Sequence, residues 1–110
     1  MTSIPQFTAA LAASAIPDHM HDGVSRYVLN GVPPGGFLTA LLSNDLKETF
    51  SRADDANQRA VLDYIKLLYN YAPTGVWGSP AKVSDWITLG GWHGLEAQYV
   101  REAAEQGTMG

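Results

Sequence analysis

The stretch Asn30-Gly31-Val32-Pro33-Pro34-Gly35-Gly36-Phe37-Leu38-Thr39-Ala40-Leu41-Leu42-Ser43-Asn44-Asp45 decides how the chain is built, because it stops one helix and launches another. Gly31 can take the left-handed conformation that closes a helix, and Pro33-Pro34 cannot continue one. Gly35-Gly36 then lets the backbone turn before an apolar run begins. The leucine spacing predicts one helix from 36 to 53, with Leu38, Leu41, Leu42, Leu46 and Phe50 on its buried face. Ser43-Asn44-Asp45 puts three polar groups in the middle of that helix. Such a triplet marks either a capped contact or a binding surface.

Working outward, Ser3 caps a first helix with Pro5 in its opening turn and Phe7 and Leu11 on one side. A second spans 17–30, with Met20, Val24, Tyr27 and Val28 apolar, and stops at Gly31. Downstream, Asp54-Asp55 with Asn57-Gln58 caps a helix over 55–72 whose stripe is Val61, Tyr64, Ile65, Leu68 and Ala72, widened by Leu67 and Tyr71. Ser79-Pro80 starts another over 79–89, carrying Val83, Trp86 and Ile87, which Gly90-Gly91 closes. A last helix over 92–105 carries Leu95, Tyr99 and Val100, followed by a frayed Gly-containing tail. No segment alternates with period two. The expected fold is therefore all-α, a compact single-domain bundle of about five short helices.

Composition narrows the function. With 110 residues there is room for one modest core, and with no cysteine there is neither a disulfide nor a thiolate metal site. Seven basic residues face eleven acidic ones and are scattered singly, which argues against nucleic acid as a partner. The run Phe7–Ala15 has the apolar centre of a signal peptide, but no Lys or Arg precedes it. No apolar stretch approaches the roughly 20 residues that span a bilayer. A cytoplasmic protein without membrane attachment is expected.

The three histidines do not announce a site. His19 and His21 are two apart and diverge on a helix, so metal binding with Asp18, Asp22 or His93 is not expected, and no cofactor is. There is no Gly-x-Ser-x-Gly elbow, and the glycine corner lacks the Lys and Ser/Thr of a phosphate loop, although Gly35 and Gly36 can present N–H groups at a helix start. Asp45 falls at the edge of the leucine stripe, where it needs a partner such as Arg26 or Arg52. Tyr64, Tyr69, Tyr71, Trp77, Trp86 and Trp92 crowd into one part of the chain. Tyr69, Trp77 and Trp92 are hard to bury in so small a core, which points to an interface or to self-association.

The blocks Ile16-Pro17, Arg26-Tyr27-Val28, Gly31 through Leu38, Ser43-Asn44-Asp45-Leu46, Arg52-Ala53-Asp54-Asp55, Tyr69-Asn70, Trp77-Gly78-Ser79-Pro80 and Trp86 resemble a family of small proteins that recur in tailed-bacteriophage and prophage genomes. The resemblance spans about two thirds of the chain and divides it into an N-terminal extension over 1–15, a core over 16–90 and a C-terminal helix and tail over 91–110. It implies a phage accessory product in the bacterial cytoplasm that acts by binding and blocking, and it carries over no catalytic residue. The expected function is a non-enzymatic, homo-oligomeric binding protein that blocks a host factor or sequesters a small nucleotide-like signal. Its candidate binding residues are Arg26, Tyr27, Gly35, Gly36, Asn44, Asp45, Tyr69 and Trp77. The competing expectation is a small hydrolase or nucleotide-processing enzyme using Asp45 with His19, His21 or His93.

Overall fold

Local capping chemistry accounts for most helix ends in the computed structural model, which describes residues 2–109 and the side chains of residues 2–105. Helix α1 (Ile4–Ala13) opens on a reciprocal capping box: Ser3 Oγ accepts from the Gln6 N–H, and Gln6 Oε1 accepts from the Ser3 N–H. Helix α2 (Asp18–Asn30) ends at Gly31, at φ 68°, where the Gly31 and Val32 N–H groups return to the Tyr27 and Arg26 carbonyls. Then come α3 (Gly36–Leu42), α4 (Leu46–Arg52), α5 (Asp55–Tyr71), a 3-10 turn (Thr74–Val76), α6 (Pro80–Leu89) and α7 (Gly91–Met109). Asp54 and Ser79 cap α5 and α6 as their positions predict. The fold is all-helical, with seven α-helices and no strand among the described residues.

Two corrections concern helix boundaries. The helix expected over 36–53 is two helices, because Asn44 takes a left-handed conformation at φ 64° and Asp45 starts afresh, its carboxylate accepting from the Glu48 N–H. That break rotates α4, so Leu46 (70 % exposed) and Phe50 (44 %) face solvent, while Thr49 turns inward and donates to the Asp45 carbonyl. The last helix continues to Met109 where a frayed tail is predicted; Gly110 lies outside the described residues.

One core joins all the segments. Helix α1 packs on α5 and α2, α2 on α7, and α6 on α7 and α3. Phe7 and Trp92 meet edge to face at 6.1 Å, so the N-terminal and C-terminal segments close the same core. Trp92, expected to be hard to bury, is only 7 % exposed. Its place is made by Gly31 and Gly91: a Cβ on Gly91 would lie 2.5 Å from the Asn30 and Gly31 nitrogens, and one on Gly31 would lie 2.8 Å from the Gly91 nitrogen. Backbone meets backbone there. Beside this crossing, Trp86 Nε1–H donates to the last α2 carbonyls, Tyr27 at 3.2 Å and Val28 at 3.1 Å. Ile65 and Tyr71 of α5 lie at the surface, as do Tyr99 and Val100 of α7, all four against expectation. In α7 every described residue from Tyr99 to Glu105 is exposed.

Candidate functional site

The corner that follows α5 borders a broad surface groove. Pro73 ends the helix, the 3-10 turn carries Val76 into the core, and the Gly78 N–H donates to the Leu42 carbonyl at 2.8 Å, tying the corner to the end of α3. Trp77 is thereby held half-buried beside Asn44. Between them and the last turns of α5 opens a groove of about 590 Å³ lined by Asn44, Leu68, Tyr69, Thr74, Trp77 and Lys82, with Ala72 and Gly78 completing it. Tyr69 stands 80 % exposed on its wall. Lys82 is fixed at its backbone, where its N–H donates to Ser79 Oγ at 3.1 Å, and its side chain folds along Gly78. Among the described residues its ammonium has no hydrogen bond or ion pair.

The eight predicted site residues thus divide. Asn44, Tyr69 and Trp77 share this groove. Asp45 joins Asn44 and Trp77 in an adjoining apolar pit with Leu41, Leu46, Val61 and Ile65, and also borders an open depression with Gly36, Glu48 and Arg52. It forms no ion pair with Arg26 or Arg52, which bind Asp22 at 3.0 Å and Glu48 at 3.2 Å within their own helices. Gly35 caps α3 with nothing within 4 Å of a Cβ built on it, and the Arg52 guanidinium lies 2.9 Å from the Cβ position of Gly36. That guanidinium is tied through Nε to Glu48 at 3.2 Å, one turn back on α4.

Tyr27 is a correction. It is 1 % exposed, and its hydroxyl donates to the Val76 carbonyl at 2.6 Å, so it belongs to the core and not to a contact surface. Burial raises its pKa from 10.0 to about 12. Tyr64, whose hydroxyl donates to Asn57 Oδ1 at 2.7 Å, is also raised, by burial first and by the Asp54 charge second. Arg26 remains at the surface, but its neighbour cannot share the role assigned to the pair.

The histidines stay apart from Asp45. His21 Nε2 lies 2.8 Å from the Ile16 carbonyl, His93 Nδ1 lies 3.5 Å from Glu96, and no hydrogen bond or ion pair joins a histidine to Asp45 among the described residues. Nor do three His, Asp or Glu side chains come together there in a metal-binding arrangement. No helix among the described residues is long and apolar enough to cross a membrane.

Lys82 and Thr74 were not singled out from the sequence. Lys82 follows a Ser-Pro helix start, so its position in the first turn was predictable, but that its ammonium reaches the groove depends on the distant Asn44 and Tyr69 walls. Comparison with protein-family models, with curated proteins and with solved structures finds no match for this chain.

Proposed function

We propose that this chain is a non-enzymatic, phage-encoded binding protein, acting in the bacterial cytoplasm, that blocks a host factor through the groove formed by Asn44, Tyr69, Trp77 and Lys82. The observation that carries this reading is Tyr69, a large aromatic left 80 % exposed on the rim of a concave surface that also holds Trp77. Aromatic side chains anchor interfaces because they bury much area at low entropic cost. The bacteriophage setting comes from the sequence resemblance alone.

A second version, sequestration of a small nucleotide-like signal, is favoured by the groove's concavity and the unpaired Lys82 ammonium, which suit a planar ring and an acidic group. Self-association belongs to the proposal as well. Leu46, Leu62, Ile65, Tyr69, Tyr99 and Val100 are all exposed and offer apolar contacts to a second copy.

Affinity capture from bacterial lysate, followed by mass spectrometry of proteins and co-eluting small molecules, tests the reading. Stoichiometric retention of one host species by the wild type, lost in Tyr69→Ala/Trp77→Ala, is the expected result. Turnover of a captured compound, or capture indifferent to both substitutions, defeats it. Light scattering on the same sample measures the oligomer.

A further inference from the structure

Helix α5 has a second stripe besides the buried one. Asp55, Gln58, Leu62, Ile65 and Tyr69 recur at alternating spacings of three and four, so they share one side of the helix, opposite the buried Ala60, Tyr64 and Leu67. Leu62, at its centre, is 59 % exposed. Helix α4 continues the patch: Leu46 lines the same pit as Ile65, and Gln58 Nε2 donates to the Phe50 carbonyl at 3.2 Å. Asp45, at the edge of that pit, is engaged as the α4 cap.

The charges on this side follow an order. Along α5 they read Asp55, Arg59, Asp63, Lys66, alternating in sign, and none of the four side chains makes an ion pair or hydrogen bond among the described residues. At 100° per residue all four fall to one flank of the Leu62 direction. Reversed end to end, the order inverts every sign. Two copies of α5 laid antiparallel therefore set Asp55 against Lys66 and Arg59 against Asp63, whereas parallel copies set like against like. Residues 46–70 hold four basic residues (Lys47, Arg52, Arg59, Lys66) and four acidic ones (Glu48, Asp54, Asp55, Asp63), so the net charge of −4 belongs entirely to the rest of the chain. That charge opposes the meeting of two copies elsewhere and not here.

We infer that two copies of this chain pair through this face, α5 antiparallel to α5 about a two-fold axis beside Leu62. The inference rests on the self-association in the proposed function and says where it occurs. Leu62 meets its counterpart at the axis, Arg59 pairs with Asp63 of the second copy on the flank, and Asp55 pairs with Lys66 beyond them. Tyr69 runs to the start of α5 in the second copy, where Phe50 is exposed. A stable interface takes about 800 Å² from each partner and the α5 stripe is only about 21 Å long, so α4, with Leu46 and Phe50, has to be covered as well. An isologous pairing of this kind closes at two copies.

The test measures the mass of the full chain by sedimentation equilibrium across concentrations, with circular dichroism checking that each variant keeps its helices. Wild type is expected to be a dimer with micromolar dissociation. Leu62→Glu, an exposed substitution, should weaken it at least about tenfold, as should Arg59→Glu or Asp63→Lys, each of which sets like charges together across the axis. An equimolar mixture of Arg59→Glu and Asp63→Lys places opposite charges at both cross-axis contacts of the heterodimer. It should associate within about threefold of wild type, while neither component does so alone. Repair within one helix cannot produce that result. A chain monomeric at about 100 µM overturns the inference together with self-association. A dimer indifferent to Leu62→Glu, or a mixture no tighter than its components, overturns this interface and leaves self-association standing.

Discussion

Gly35-Gly36 and Gly90-Gly91 are the same dipeptide put to opposite uses. The first lies open: Gly35 has nothing near its Cβ position, and Gly36 meets the movable end of Arg52. The second is closed. Gly90 ends α6 at φ 90°, and Gly91, at φ 73°, presses its backbone against Asn30 and Gly31 with no room for a methyl group. The contrast teaches that a glycine doublet is read correctly as a helix punctuator from sequence, while its energetic weight is set by what the rest of the chain brings against it.

The sharpest way to break that contrast is Gly91→Ala. A methyl group 2.5 Å from backbone nitrogens, at a positive φ, forces α2 and α7 apart, and a loss on the order of 4 kcal/mol in chemical denaturation is expected. Leu41→Ala and Leu68→Ala, each in the shared core, should cost about 2–5 kcal/mol by the same measurement. If either leaves the denaturation midpoint in place, the faces assigned to α3 and α5 are wrong.

Tyr27, beside the closed corner, gives a smaller effect with a pH signature. Tyr27→Phe strands the Val76 carbonyl and should cost about 1–3 kcal/mol. Because the folded-state pKa is raised, the neutral phenol's contribution is fully present below pH 10 and is lost as pH climbs through about 12. Wild-type stability should therefore fall across that window, and less steeply in Tyr27→Phe, with Tyr64 contributing in the same direction. At the open doublet, Gly35→Ala should shift stability by no more than about 0.5 kcal/mol, since its φ of −71° suits alanine and nothing crowds the site. A large loss there would erase the distinction between the two doublets.

The helix ends were legible because their causes are local. Ser3, Asp54 and Ser79 each accept from a backbone N–H three residues on, and Gly31 and Gly90 close their helices through carbonyls in the preceding turn, all within reach of a short window of sequence. The break at Ser43-Asn44-Asp45 was local too, and the polar triplet marked it, but the leucine period on either side argued for continuity. Burial was less legible. The stripe of α2 already held Tyr27, but the Val76 carbonyl that takes its hydroxyl, and the Phe7 ring that encloses Trp92, lie far along the chain, and no periodicity within α2 or α7 encodes those meetings. Of the groove, sequence reasoning found Asn44, Tyr69 and Trp77 through their polarity or surplus aromatic surface. It missed Lys82, whose significance is the absence of a partner, a property of three-dimensional surroundings.

The edge-to-face contact of Phe7 with Trp92 has a consequence for biosynthesis. Until residue 92 has left the ribosome, the first helix has no indole to pack against, and the cleft it will close stands open to water. The loop that must shut to make this contact takes in most of the chain, so α1 gains its full anchorage late in folding. A released chain truncated before Gly91 should therefore be sensitive to protease at Phe7, and a released chain extending past Leu95 should be protected there.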